Sequence, residues 1–195
     1  MHDMANVGWE VEGIEFSPKA ADAARALGYA VHTGGLETAP APRLPFDLIV
    51  GWMVLEHLHK PVFSLLKLRE WAKPGAMLCV SVPNAGAWQF NLFLDKWYPL
   101  QLPTHLYHFT PDTVRLVLAK GGWDVTHIHF QRIVSDPIAS IGHVLQEKGF
   151  KKIGKRLVDV TVGHEILVGM LYPFAWLASV FGQTGRMTIW ARRSE

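Results

Sequence analysis

The chain has few charged residues and only one cysteine among its 195 residues. Charged residues make up 18% of it, whereas soluble domains usually hold roughly 25%. Hydrophobic residues account for 49%, which excludes general disorder. Cys79 has no partner within the chain, so a disulfide scaffold is excluded and a reducing compartment is favoured. We therefore expect a globular, cytoplasmic protein of one domain, with or without an appendage.

The chain also lacks a surplus of one charge, an apolar leader and internal repeats. Its net charge of +2 at pH 7 is not that of an obligate nucleic-acid binder. The first six residues include His2 and Asp3 and have no apolar run, so no secretory signal is predicted there. We expect small-molecule partners rather than nucleic acid.

Strand and helix patterns alternate along most of the chain. Apolar runs at 46–50 and 76–82 are typical of strands buried on both faces of a parallel sheet. Helices are predicted at 18–27, 60–73 and 111–120 and further strands at 10–16, 29–32, 123–130 and 186–191. This alternation predicts a three-layer α/β fold.

Polar and glycine residues follow each predicted strand. Glu15 follows the first strand, Gly34 and Gly35 the second, Gly51 the third and Asn84 the fourth. In doubly wound sheets, ligands bind beyond the carboxyl ends of the strands. A carboxylate there can hold ribose hydroxyls, and glycines let the backbone approach a flat ring.

Three segments together resemble a known family. Residues 46–84 contain VLEHL, a predicted helix, KPG, a strand and PN in that order, and 13–24 and 103–123 add GIEFSPKAADAA and PTHLYHFTPDTVRLVLAKGGW. The pattern resembles class I S-adenosylmethionine-dependent methyltransferases. It is closest to small-molecule enzymes similar to ubiquinone-biosynthesis O-methyltransferases. The resemblance implies a Rossmann-like three-layer sandwich.

The resemblance also implies roles for individual residues. His105 is the first candidate for a catalytic base and His57 the second, because imidazole titrates near neutral pH. The cofactor, S-adenosylmethionine, would contact Glu15, Phe16, Gly35, Leu36, Glu37, Gly51, Trp52 and Met53.

One element of the family pattern has no counterpart. No G-x-G occurs before Glu10, although the family carries a glycine-rich loop after its first strand. We therefore expect the sheet to lack that strand, which would leave two strand edges unpaired and encourage association into oligomers. The chain would then be an incomplete enzyme or a truncated, non-catalytic binding or scaffold remnant, unless the sheet closes by pairing directly across the gap.

Structural interpretations of the same residues stay open. Glu15 also suits a surface carboxylate, Gly34 and Gly35 an ordinary turn, and Glu56 with His57 the first turn of a helix. No metal site is expected. The His105/His108 and His127/His129 pairs lack a Cys or carboxylate spaced to complete one.

The least patterned segments lie in the second half of the chain. The aromatic stretch 88–107 fits either a lid over an apolar acceptor or a cover for the sheet edge. Residues 131–185 are expected to form a helical insertion into an α/β core made of 1–130 and 186–195. Lys151, Lys152, Lys155 and Arg156 share one helical face, and 166–185 carry no charge.

The insertion has two interpretations. It fits a cap of two helices or a peripheral membrane contact through 150–185. Pro173 and Gly169 disfavour a spanning helix. We expect methyl transfer to a small or lipid-linked acceptor, at oxygen.

Overall fold

The computed structural model describes residues 1–160 and 165–195. Its helices are α1 (His2–Asn6), α2 (Pro18–Ala26), α3 (Pro61–Trp71), α4 (Trp88–Phe93), α5 (Pro111–Lys120), α6 (Ser135–Glu147), α7 (Lys151–Val160) and α8 (Glu165–Val180). Its strands are β1 (Glu12–Glu15), β2 (Ala30–Thr33), β3 (Phe46–Trp52), β4 (Ala72–Pro83), β5 (Trp123–Phe130) and β6 (Arg186–Arg193). They form two compact units, Met1–Pro45 and Phe46–Glu195.

The first unit is a βαβ motif preceded by a short helix. Strands β1 and β2 pair in parallel, with Glu15 opposite Thr33. Ser17 caps α2 by accepting a hydrogen bond from the Ala20 amide, and Pro18 occupies the first helical position. Arg25 then ties α2 to β2, because its Nε donates to the Val31 carbonyl at 3.0 Å.

The second unit contains a four-stranded sheet in the order β3-β4-β6-β5. Strand β3 runs parallel to β4, and β6 runs antiparallel to both of its neighbours. The later strand β6 therefore lies between two earlier ones. The α/β fold class and the parallel pairing of β3 with β4 are confirmed.

The core of the second unit lies between this sheet and helices α3 and α5. Leu65, Leu118 and Trp123 are fully or almost fully buried there. The Trp123 indole donates to the Leu65 carbonyl at 3.0 Å, which satisfies its one polar atom in the core. Strand β4 is buried from Leu78 to Pro83, as its apolar sequence predicts.

Helices α6 and α7 cross at two glycines. A β-carbon on Gly154 would collide with the Gly142 carbonyl oxygen and lie 2.9 Å from the Gln146 amide nitrogen. A β-carbon on Gly142 would lie 2.7 Å from the Gly154 carbonyl oxygen. The two backbones thus approach more closely than any side chain would allow.

Direct pairing across the predicted gap is not observed: among the described residues, β1 pairs with β2 alone and β3 with β4 alone. The aromatic stretch 88–107 begins with helix α4. The insertion contains three helices rather than two, since α6 precedes the basic helix.

The predicted basic helix at 150–162 is α7, and residues 161 and 162 lie outside the described residues. Within the described ranges, no helix combines the length and the apolar character needed to cross a membrane.

Candidate functional site

A strained turn follows β3 in the second unit. Met53 has φ of +53°, a conformation that residues other than glycine seldom adopt. Its amide donates to the Ser81 carbonyl of β4 at 2.9 Å, which holds the turn against the neighbouring strand. Gly51 and the exposed Trp52 precede it. Such strain is concentrated at functional sites.

The turn leads into a single 3-10 turn, Leu55–His57, that buries Glu56. The Glu56 carbonyl accepts hydrogen bonds from the amides of Leu106 and Tyr107, at 2.9 and 3.3 Å. The side chain is fully buried, and neither carboxylate oxygen has a hydrogen-bond partner among the described residues. Buried polar groups are nearly always paired, so this carboxyl group is a candidate functional group.

Two histidines lie beside Glu56, and backbone carbonyls fix both. The Nδ1 of His57 lies 2.9 Å from the Thr104 carbonyl, and that of His105 lies 2.7 Å from the Pro99 carbonyl. A carbonyl oxygen only accepts, so each Nδ1 carries the hydrogen. In the neutral ring, each Nε2 is then a basic lone pair.

The three side chains converge. One carboxylate oxygen of Glu56 and one ring nitrogen each of His57 and His105 all lie within 4.8 Å of one another. The His105 side chain is buried whereas His57 is exposed. Glu56 and His105 therefore form a buried interior of the site, and His57 is its solvent-exposed side chain.

Burial controls the protonation of this cluster. It raises the pKa of Glu56 above its usual range, although the backbone, His57 and Arg186 counteract it. It lowers the pKa of His105, and the nearby His57, His108 and Arg186 lower it further. His105 is therefore a neutral base at neutral pH, and Glu56 resists ionisation.

Arg186 is held by a bidentate ion pair behind the cluster. Its Nε and Nη2 donate to the two carboxylate oxygens of Asp136, at 3.0 and 2.9 Å. Asp136 is fully buried, and burial raises its pKa even though Arg186 opposes the shift. The pair joins the start of α6 to the start of β6.

Asn84, which follows β4, has a structural role. Its amide nitrogen donates to the carbonyls of Gly182 and Thr184, at 3.1 and 2.9 Å. It therefore fixes the chain between α8 and β6.

An open cavity of about 520 Å³ lies next to the segment that fixes His105. The same stretch supplies the Pro99 carbonyl to His105 and the Leu100 carbonyl to His108. The cavity is lined by Asp95, Trp97, Tyr98, Leu100, Gln101, Leu102 and His143.

The predicted cofactor residues of the first unit follow its two strands. Glu15 is half-buried at the end of β1, and its Oε1 accepts from the Ser17 amide at 2.7 Å. Phe16 is 81% exposed, so a large apolar ring faces solvent beside that carboxylate. Gly35 accepts from the Thr38 and Ala39 amides, both at 3.2 Å, in the turn that contains Leu36 and Glu37.

The Glu37 side chain lies over Gly35. A β-carbon on Gly35 would lie 2.7 Å from the Glu37 carboxylate, which is the flexible end of that side chain and can move aside. Leu36 and Glu37 lie in the turn that follows Gly35. Their role in cofactor binding stays a prediction.

The sequence did not predict that the Glu56 side chain is buried. The pattern placed it in a first helical turn, where a carboxylate faces solvent, whereas the side chain is wholly buried. The signal available was the apolar neighbour Leu55 together with His57, but the contact of the Glu56 carbonyl with the Leu106 and Tyr107 amides lies far along the chain. A carboxylate and two imidazoles are also suitable ligands for a divalent cation, so the expectation of no metal stays a prediction.

The structure contains a parallel βαβ unit and a mixed sheet whose last strand is antiparallel. Polar residues follow the strands of both. These features define a Rossmann-like α/β protein. Similarity to known proteins makes this more specific. The model of the family described as "Methyltransferase domain" matches residues 2–128. The chain belongs to this methyltransferase family.

Curated relatives and solved structures agree with that assignment. A ubiquinone biosynthesis O-methyltransferase of Cereibacter sphaeroides is 27% identical over 135 residues, which cover 62% of this chain and 54% of the relative. The chain thus matches about half the length of these curated relatives.

Solved structures share the fold. An S-adenosylmethionine-dependent methyltransferase from Mesorhizobium loti has a TM-score of 0.60 at 14% identity, covering 98% of this chain and 84% of the other. A mycolic acid cyclopropane synthase complexed with S-adenosylhomocysteine has a TM-score of 0.58 at 14% identity, covering 100% of this chain and 73% of the other. Identities this low support the fold alone.

Proposed function

We propose that this chain takes part in S-adenosylmethionine-dependent methyl transfer to a hydroxyl oxygen of a small or lipid-linked acceptor, with His105 as the general base. The observation that carries the proposal is the fixed, buried imidazole of His105. Its Nδ1 is bound to the Pro99 carbonyl, and its Nε2 is left as the basic atom. The ubiquinone biosynthesis relatives are named for transfer to oxygen, which supports the same choice of atom.

A hydroxyl acceptor needs a base, because the oxygen must lose its proton as it attacks. When bound, S-adenosylmethionine would supply an electron-poor methyl group. As the acceptor oxygen bonds to the methyl carbon, the carbon–sulfur bond would break and its electron pair would stay on sulfur. Nε2 of His105 takes the hydroxyl proton and the ring becomes a cation. The adjacent Glu56 carboxyl, when ionised, stabilises that cation.

In the first unit, Glu15 is suited to hold ribose hydroxyls. Its Oε2 has no hydrogen-bond donor among the described residues, as ribose hydroxyls would require. In the second unit, Gly51 lies at the carboxyl end of β3 and Met53 follows that strand, where ligands of such sheets bind.

The cavity lined by the segment 95–102 is suited to an apolar, ring-bearing acceptor. Tyr98, Leu100 and Leu102 contribute apolar surface to it, Gln101 contributes an amide and the exposed Asp95 a carboxylate. We therefore favour an aromatic hydroxyl compound over an anionic metabolite.

Calorimetric titration with S-adenosylmethionine and S-adenosylhomocysteine tests cofactor binding. We expect Glu15→Ala to raise the dissociation constant by about 10- to 100-fold, which corresponds to roughly 1.4–2.7 kcal/mol. Glu12→Ala is the matched control, because Glu12 is an exposed carboxylate on the same strand. Absence of binding to the wild-type chain, or an equal effect of both variants, would contradict this part.

Transfer of a labelled methyl group tests the chemistry. Phenols and catechols should be methylated and matched anilines should not. Binding of the cofactor with no transfer to any hydroxyl acceptor would favour a non-catalytic, binding-only chain. Loss of transfer in EDTA, restored by a divalent cation, would replace the general-base role with metal ligation by the Glu56 cluster.

A further inference from the structure

Helices α7 and α8 each carry exposed apolar side chains, and α7 also carries exposed cations. We propose that the two helices dock on an anionic lipid bilayer. The inference concerns where the protein acts and does not depend on methyl transfer.

Helix α8 has one packed side and one unpartnered apolar side. On the packed side, Ala175 is buried and the Tyr172 hydroxyl accepts from Arg132 at 2.7 Å. Gly182, just after the helix, packs on the ring of Phe130. These contacts fix α8 on the segment around the end of β5.

The outward side of α8 is a continuous stripe. Met170, Phe174 and Leu177 follow one another at spacings of four and three residues, so they share one face of α8, and Phe181 directly follows the helix. Their exposed fractions are 70%, 71%, 51% and 69%. A contiguous patch of this kind on a soluble domain marks an interaction surface.

The surface of helix α7 has three sectors. Gly154 and the half-buried Val158 face α6 and pack against Gly142. Phe150, just before the helix, and Ile153 are 56% and 58% exposed and form an apolar sector.

The remaining sector of α7 is cationic. It is formed by the exposed side chains of Lys151, Lys152, Lys155 and Arg156. Asp159 pairs with Lys155 at 2.8 Å and is the one acidic residue of the helix, so the sector keeps a positive charge.

The positive charge of α7 favours an anionic bilayer over a second copy of the chain as the binding partner. A second copy paired through the same helices would bring like cations together, which opposes association. An anionic bilayer complements them, and apolar side chains beside Lys and Arg suit its interface. Tyr172 and Trp176 are residue types enriched at that level.

Co-sedimentation with vesicles tests the proposal. The probes are vesicles of phosphatidylcholine alone and of phosphatidylcholine with phosphatidylglycerol. We expect the chain to sediment with the anionic vesicles and the partition coefficient to fall at least tenfold on neutral ones.

Two variants separate the apolar from the electrostatic contribution. Phe174→Ser with Phe181→Ser, and Lys151→Glu with Lys152→Glu, should each weaken binding to anionic vesicles at least tenfold. The matched controls are Phe63→Ser and Arg115→Glu, because these exposed residues lie on α3 and α5. All four substituted surfaces are exposed, and circular dichroism verifies folding.

Three results would overturn the proposal. They are failure of the wild-type chain to sediment with anionic vesicles, full binding by both variants, and a dimer in ultracentrifugation that Phe174→Ser with Phe181→Ser dissociates. Vesicle binding is measured without cofactor, so it can fail while methyl transfer succeeds, and the reverse.

Discussion

The imidazole of His57 lies edge-on to that of His105, with ring centroids 4.7 Å apart and planes inclined by 70°. Both rings direct Nδ1 to backbone carbonyls of the segment 99–104. That segment therefore sets the orientation of both candidate bases at once. Substitutions that leave this backbone intact can separate the chemical role of each ring from its packing.

His105→Asn should lower the rate of methyl transfer by about 10²- to 10⁴-fold, because it removes Nε2. The asparagine amide can still donate to the Pro99 carbonyl, so cofactor affinity should be unchanged. Single-turnover kinetics and calorimetry measure the two quantities.

His108→Asn is the control for that variant. His108 lies next to His105 and donates to the Leu100 carbonyl, outside the convergent trio. A normal rate in His105→Asn, or an equal loss in His108→Asn, would show that His105 is structural.

Glu56→Gln should make protein stability less sensitive to pH. Burial raises the pKa of Glu56, so the native state binds this proton more tightly than the unfolded state does. The stabilisation from that proton is complete below the unfolded pKa and is lost as pH rises through the native pKa. The wild-type chain then holds a buried charge that glutamine lacks.

Urea unfolding at pH 4 and pH 8 measures this difference. We expect Glu56→Gln to gain about 1–3 kcal/mol relative to wild type between the two conditions. Glu70→Gln is the control, because Glu70 is exposed on α3, and it should show no such pH dependence. A constant difference between Glu56→Gln and wild type would mean that folding does not shift the pKa of Glu56.

Asp136→Asn should destabilise the second unit by roughly 3–5 kcal/mol, because it leaves the Arg186 guanidinium without its carboxylate. Thermal and denaturant unfolding measure the loss. Asp95→Asn alters an exposed pair with Lys96 and should leave the unfolding midpoint unchanged. A similar small effect at both positions would contradict a structural role for the buried pair.

Gly154→Ala should loosen the contact between α6 and α7 and cost about 1–3 kcal/mol. Gly169→Ala is the matched control within α8, because a β-carbon there has no neighbour within 4 Å. That change should stabilise by about 0.4–1 kcal/mol, since alanine favours the helix. If both substitutions stabilise the protein, the close approach of the helices is not needed for folding.

Periodicity and turn residues predict most of this fold. Ser17 and Pro18 mark the start of α2 and Thr110 and Pro111 that of α5, since caps act locally. The limits of β4 were less predictable. It begins at Ala72, because pairing with β3 and β6 extends a strand beyond its apolar run.

The candidate site was predicted only where local pattern sufficed. His57 and His105, each predicted as a candidate base, lie side by side in the structure, while their catalytic roles stay predictions. Glu56 is buried, and its carbonyl bonds amides about 50 residues later, a tertiary contact that no local pattern encodes. The glycine contact between α6 and α7 is likewise a tertiary feature, and α6 carries no clear capping signal.

The central position of β6 also constrains the order of assembly. This strand forms ladders with both β4 and β5, yet it is synthesised after every element it joins. During translation, β4 and β5 are therefore made well before they can be bridged, and the apolar edge of β4 stays open until residues 186–193 emerge. Such long-range pairing slows folding and exposes aggregation-prone edges, so yield during synthesis should depend on chaperones more than the size of the domain suggests.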